Sequence, residues 1–317
     1  MKPRIAIAAG DPAGIGPEIS LKAARDPRVL ELCQPVLIGS REAFAMHAAP
    51  CGLGLDDLFI RDLKQAPPRI GSVAPEHGRA ALEAAGAAIE GALSGKYEAV
   101  VAAPHTEAAI HAAGLKFDGY PSFVARVCGL EPDEGILMLC FEHRGREVRI
   151  PHVTLHTSVR EALALITRPR ILRTLHAVDA ALKKLGIEKP RIAVSGVNPH
   201  AGEGGAFGRE EIDTLQPALE LARRAGMALD GPFGADTLLQ RESYDAYVVM
   251  LHDQGHVAAK LLAPQRVAAL TIGTPVLFSS VGHGSALDIA GRGKANPDAI
   301  IEAITRLVGR RRRAVAT

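Results

Sequence analysis

The chain alternates between short, continuous apolar runs and longer stretches whose apolar residues recur at helical spacing. Continuous apolar runs mark parallel strands buried on both faces, and helical spacing marks the elements that cover them. The pattern predicts strands at Arg4–Ala9, Pro35–Gly39, Ala99–Ala103, Gly135–Phe141, Val148–His156, Arg191–Val197, Ala246–Leu251, Ala268–Ile272 and Val276–Val281. Helices are predicted over Pro17–Ala24, Gly78–Leu93, Thr106–Ala113, Ser158–Leu185, Arg209–Ala225 and Pro297–Leu307. Gly78–Leu93 is rich in Ala, Leu, Glu and Ile and stops near Gly95, whereas Pro17 and Pro297 open helices at positions where a missing N–H costs nothing. This alternation predicts an α/β architecture, with helices covering a mostly parallel sheet.

Three of the apolar runs carry through to a histidine: Glu147–His156, Arg191–His200 and Ala246–His252. Open α/β sheets place their chemistry at the carboxyl ends of strands. Imidazoles delivered there can converge on one divalent ion and leave coordination positions for a substrate, so an enzyme is the first expectation. Taken singly, such a histidine is more often a hydrogen-bonded structural residue; three at equivalent strand ends bring the metal reading level with that one. His47, His77, His111, His143 and His176 lie in helical or polar contexts and are expected at the surface. His105, His152 and His256 lie close enough to the motifs to hold secondary roles.

Composition narrows the class. At 317 residues and 47% hydrophobic content the chain can bury the cores of two lobes, expected at 1–125 plus 265–317 and at 126–264. A net charge of +2 leaves no footprint for nucleic acid, and Arg310–Arg313 reads as a helix end whose cations suit the dipole. No apolar stretch approaches a membrane span, and the segment from Met1 is too brief for a signal peptide. Cys33, Cys51, Cys128 and Cys140 lack metal-type spacing and are expected as free thiols, consistent with a cytoplasmic protein.

Several loops carry chemistry-bearing residues. Gly10–Glu18 follows a strand and opens a helix, but its glycine spacing does not fit a dinucleotide fingerprint, and a tight turn explains it equally well. Asn198–Gly205 carries His200 and Glu203 among glycines that let backbone N–H groups approach a ligand. His252–Gly255 is followed by Lys260, and Asp236 sits in a loop of small residues. In His283–Pro297, a loop of small residues with one carboxylate could wrap an adenosine; a glycine-rich helix entry is the plain alternative.

The His283–Pro297 stretch resembles the adenosine loop of isocitrate and isopropylmalate dehydrogenases. Together with Gly10–Glu18, Asn198–Gly205, Gly231–Thr237 and His252–Gly255, it resembles the 4-hydroxythreonine-4-phosphate dehydrogenase family over nearly the whole chain. The resemblance implies two α/β/α lobes around a central cleft and a homodimer whose active site is shared between subunits. It implies a divalent ion on His156 and His200 of one subunit and His252 of the other. Zinc suits three imidazoles, whereas magnesium or manganese would need further oxygen ligands. NAD is implied at His283, Gly284, Ser285, Ala286, Asp288 and Asn296. Lys260 falls on the family's substrate-binding lysine, and Lys260 and Asp236 are the candidates for taking a proton.

Within that family the chain departs from the phosphate-ester enzymes. Tyr120-Pro121 and Ser122 stand where they carry a His-Thr pair, and Ala269 and Phe278 stand where they carry Asn and Arg. Loss of an arginine fork removes most of what a phosphate needs. Segments Gly119–Phe123, Met250–Pro264 and Ser279–Gly293 resemble the terephthalate cis-dihydrodiol dehydrogenases. That branch implies oxidation of a carboxylated dihydrodiol, with Tyr120, Ser122 and Phe278 beside a flat carbocycle. Other readings are oxidation of 4-phosphohydroxythreonine or a threonate phosphate, a metal-dependent lyase or hydrolase without nicotinamide, and a non-enzymatic metal or metabolite binder.

Overall fold

The computed structural model describes residues 2–264 and 266–315, with side chains described up to 308. It divides into two compact units: Met1–Pro132 with Thr274–Thr317 (unit 1), and Asp133–Gly273 (unit 2). In chain order the strands are β1 (Arg4–Ala8), β2 (Gln34–Gly39), β3 (Phe59–Asp62), β4 (Ala99–Ala102), β5 (Ile136–His143), β6 (Arg146–Pro151), β7 (Arg191–Ser195), β8 (Ala228–Phe233), β9 (Ala246–Val248), β10 (Ala268–Ile272) and β11 (Phe278–Val281).

In unit 1 the strands run β3-β2-β1-β4-β11, and every neighbouring pair is parallel. Ala6 and Ala8 of β1 meet Ala84, Ala85, Ala88 and Ile89 of the helix Pro75–Leu93 in one buried cluster. Small side chains on both elements let the helix lie close to the sheet. The full burial of Ile89 alone is worth about 1.5–3 kcal/mol. All the turns that follow β1, β4 and β11 leave the same carboxyl edge of this parallel sheet.

Unit 2 combines a parallel trio, β8-β7-β9, with an antiparallel trio, β10-β5-β6. An isolated parallel bridge between His152 and Val249 joins them. Leu139, Phe141, Ile150, Tyr247, Val249 and Ala259 form their shared core.

The α/β expectation holds, with three corrections. The sheet is antiparallel at β5 and β6, because Arg144 and Gly145 take φ of 50° and 75° and turn the chain straight back. The predicted helix Ser158–Leu185 is two helices, Val159–Leu165 and Arg168–Lys184: Pro169 cannot continue a helix but can open one. The strands expected to end on histidines stop earlier, at Pro151, Ser195 and Val248, so that His156 and His200 lie in loops and His252 starts a helix. The side chains of Arg310–Arg313 lie outside the described residues.

Candidate functional site

In unit 2, the helix His252–Leu262 sets His252, His256 and Lys260 on one stripe, each a turn apart. The His252 and His256 rings stack with centroids 3.7 Å apart and planes 8° from parallel. The His156 ring centroid is 5.7 Å from that of His252. Beneath them His152, 2% exposed, brings Nε2 to 3.2 Å from His256 Nδ1. Gly255 is required by this packing, since a Cβ there would fall 2.4 Å from His152 Nε2.

Burial, reinforced by His256 and His252, pushes the His152 pKa down to about 3; burial and then His252 push His256 down to about 4. Both rings are therefore neutral at pH 7. His252 Nδ1 lies 2.7 Å from Asp253 Oδ1. With that nitrogen donating to the carboxylate, Nε2 keeps its lone pair outward, the orientation that carboxylates impose on metal-binding histidines.

His200 occupies the loop after β7, its Nδ1 3.5 Å from Glu203 and its ring 6.1 Å from that of Phe207. Asp236 is exposed on the neighbouring loop: a Cβ at Gly234 would lie 2.6 Å from Asp236 Oδ1 and 3.5 Å from His200 Cα. Among the described residues of a single chain, no three His, Cys, Asp or Glu side chains gather as a metal-holding group. The chain thus brings His156 and His252 together and leaves His200 outside the pair. The resemblance instead divides His156 and His252 between subunits. Paired imidazoles are a donor set that fits a borderline ion such as zinc.

In unit 1, Gly10 takes φ +68° and Asp11 N–H donates to Pro104 O at 2.9 Å, which turns the chain from β1 into the helix Gly16–Ala23. The 283–295 loop is tied to this turn at both ends. Ile15 N–H donates to Ser285 O at 2.8 Å, and Thr106 Oγ1 donates to Ser285 Oγ at 2.9 Å. Lys22 Nζ donates to Gly293 O (3.1 Å), Ala295 O (2.7 Å) and Glu18 Oε1 (2.8 Å), while Ala295 N–H donates to Glu18 Oε1 at 2.7 Å. Gly284, just ahead of the Ser285 anchor, and Asp288, between the anchors, are exposed, and Ala286 takes φ 41°. His283 Nδ1 lies 3.1 Å from Gly284 O. Ser285 is buried, and Asn296 Oδ1 caps the last helix by accepting from Asp298 N–H at 2.8 Å.

Tyr120 and Phe278 do not form an open wall. They pack at 4.9 Å in a buried aromatic group with His105, Phe117 and Phe123, at 5% and 0% exposure. The Tyr120 hydroxyl is buried without a partner, and burial pushes its pKa up. Ser122 Oγ donates to Asp118 Oδ1 at 2.5 Å, which Arg126 also binds. Substitution against a family pattern reveals a changed side chain and not the direction in which it points.

His47 and His77 are also buried, at 0% and 2% exposure, against the surface expectation. The signal was present: Ala43, Phe44, His47 and Ala48 share one buried face of the helix Arg41–Ala48. His47 Nε2 lies 2.9 Å from Pro12 O, and burial lowers its pKa. Among the described residues the four cysteines form no disulfide. No helix among the described residues is long and apolar enough to cross a membrane.

A family model, the pyridoxal phosphate biosynthetic protein PdxA, matches residues 31–307. The chain is 44% identical over 308 residues to a 1,2-dihydroxy-3,5-cyclohexadiene-1,4-dicarboxylate dehydrogenase of Comamonas sp, covering 96% of each. A terephthalate 1,2-cis-dihydrodiol dehydrogenase from Burkholderia xenovorans LB400 superposes with a TM-score of 0.74 at 40% identity, over 98% of this chain and 99% of that one. A 4-hydroxythreonine-4-phosphate dehydrogenase from Burkholderia phymatum gives 0.83 at 33% identity, over 97% and 99%. Isocitrate dehydrogenase from Methylococcus capsulatus, 18% identical with a TM-score of 0.51 over 99% and 88%, shares the fold alone.

Proposed function

Since the chain belongs to the PdxA family of pyridoxal phosphate biosynthetic proteins, we propose that it is an NAD- and divalent-metal-dependent dehydrogenase. Its substrate in this reading is a 3-hydroxy carboxylate of the carboxylated cis-dihydrodiol type, oxidised with loss of CO2. The observation that carries the reading is the His156–His252 pair, ring centroids 5.7 Å apart, with His252 on the helical stripe that also carries Lys260. The dicarboxylate relative at 44% identity supports the choice of substrate.

His156, His252 and His200 would hold the ion, with zinc the best chemical match to imidazoles, and the 283–296 loop would hold NAD. The ion supplies Lewis acidity at the substrate oxygens, and NAD supplies a hydride acceptor. Asp253 fixes the His252 ring, and His152 and His256, both neutral, wall the pair off from competing charge. Either Lys260 stays protonated as a cation for the substrate carboxylate and Asp236 takes the hydroxyl proton, or Lys260 enters the reaction as the neutral amine and takes that proton itself.

NADH formation from 1,2-dihydroxy-3,5-cyclohexadiene-1,4-dicarboxylate, measured on chelator-stripped protein with and without added Zn2+, Mg2+ or Mn2+, tests this. Turnover that needs an ion and fails in His156→Ala and His252→Ala is expected. Full activity in the stripped protein sinks the metal site, and NADH from 4-phosphohydroxythreonine alone replaces the substrate. Mixing His156→Ala with His252→Ala under proven subunit exchange addresses assembly. Recovered turnover would mean that the two residues act from different subunits of a homodimer, and none would mean that they act within one chain.

A further inference from the structure

After β7 the chain enters a turn in which five consecutive residues, His200 to Gly204, take φ of 51, 52, 79, 43 and 66°. His200, Ala201 and Glu203 each carry a Cβ, which crowds the following carbonyl in this left-handed region. A turn held against its own preference persists only where its surroundings over-determine it. Glu211, 1% exposed, does so. Its Oε1 accepts from Val197 N–H at 2.7 Å and Asn198 N–H at 2.8 Å, and its Oε2 accepts from Asn198 Nδ2 at 2.9 Å. The carboxylate fills the hollow of the turn, since a Cβ at Gly202 would fall 2.7 Å from Oε2. Glu211 opens a single π-helical turn, Glu211–Leu215, of the kind that interrupts helices near functional sites.

We propose that Glu211 is the positioning residue for His200: its buried carboxylate holds the entry to the left-handed turn at Val197 and Asn198, lies against Gly202 within it, and so aims that imidazole at the ion. The inference rests on the metal reading of His200. Glu211 touches neither substrate nor ion, and it acts through the backbone on which His200 is mounted.

The test is the Zn2+ affinity of the full chain, by competition with a chromophoric chelator, alongside thermal unfolding and NAD+ calorimetry. Glu211→Ala is expected to bind Zn2+ about 10–100-fold more weakly, the usual cost of losing a group that orients a metal ligand, with NAD+ affinity unchanged. Glu211→Gln keeps a carbonyl for Val197 and Asn198 and is expected to recover most of the affinity. Adding Ala201→Gly to Glu211→Ala removes one crowded Cβ and is expected to recover part of it. Should Glu211→Ala fail to unfold cooperatively, Glu211→Asp takes its place, keeping the charge but falling short of the turn. Zn2+ affinity in that variant within about twofold of wild type, far below the cost cited for an orienting group, overturns the inference. Wild-type Zn2+ binding that survives His200→Ala overturns the metal reading and this inference with it; binding that needs His200 but not Glu211 overturns this inference alone.

Discussion

Replacing Lys22 with methionine keeps the length and apolar contacts of its stem and deletes the ammonium. In the native protein that group is shared between Glu18 Oε1 at 2.8 Å and the carbonyls of Ala295 and Gly293 at 2.7 and 3.1 Å. Glu18 is wholly buried, and its Oε2 has no partner. Lys22→Met would leave a carboxylate inside the fold with only the Ala295 N–H to stabilise it. Removing one member of a buried pair costs about 3–5 kcal/mol. The Lys22 side chain is 24% exposed, so water replaces part of the loss, and about 2–4 kcal/mol is expected. Adding Glu18→Gln removes the stranded charge while leaving an acceptor for Ala295, and should restore about half of it. Urea unfolding of the two single variants, the double variant and wild type gives the coupling directly. Because the pair also anchors the 293–295 backbone, NAD+ affinity measured by calorimetry should fall in Lys22→Met. A loss of less than about 0.5 kcal/mol, the range of an ordinary surface change, would refute the reasoning, as would a double variant worse than Lys22→Met.

Three further outcomes are expected. Burial holds His152 at about 3 in the folded chain, against about 6.5 for an ordinary imidazole, so the unfolded chain takes up the proton first as the pH drops. Its contribution is complete above about pH 6.5 and is lost at about 1.4 kcal/mol per unit on the way down, so this ring alone should make metal-free protein about 2.5 kcal/mol less stable near pH 4.5 than at pH 7, and His256, held at about 4, adds to the loss. Urea melts at the two pH values check this, and equal stabilities would contradict the burial of that ring. Gly255→Ala places a methyl 2.4 Å from His152 Nε2 and should cost about 1–3 kcal/mol as His152 and His256 are forced apart, visible in the same melts; a neutral result would mean that the histidines are loosely held. Tyr120→Phe removes a buried hydroxyl that has no partner and should stabilise unit 1 by about 1 kcal/mol without raising KM, and a raised KM would place Tyr120 at the substrate after all.

What could be read from the chain follows the reach of local signals. β1, β2, β4, β7 and β10 were legible because each is a continuous apolar run that ends at a turn residue or a loop. The helix His252–Leu262 was not, because its apolar face is interrupted by the histidines and lysine that make it interesting. Equally hidden was the stacking of His256 on His252, although their spacing of one helical turn is the plain signal for it. The Glu211 clamp could not be found from the sequence at all. Two of its three partners are main-chain N–H groups, which every residue but proline carries, so no residue type betrays them.

Unit 1 is assembled from two separate stretches of the chain, 1–132 and 274–317, and β11 pairs with the edge of β4 that β1 leaves open. On a ribosome, unit 2 therefore leaves the exit tunnel as a finished stretch while the earlier half of unit 1 still waits for its last strand. During that interval an apolar strand edge lies unpaired, the state in which nascent chains stick to one another. Shortening the delay, by a circular permutation that places 274–315 ahead of β1, should raise soluble yield without touching a single side chain of the native protein.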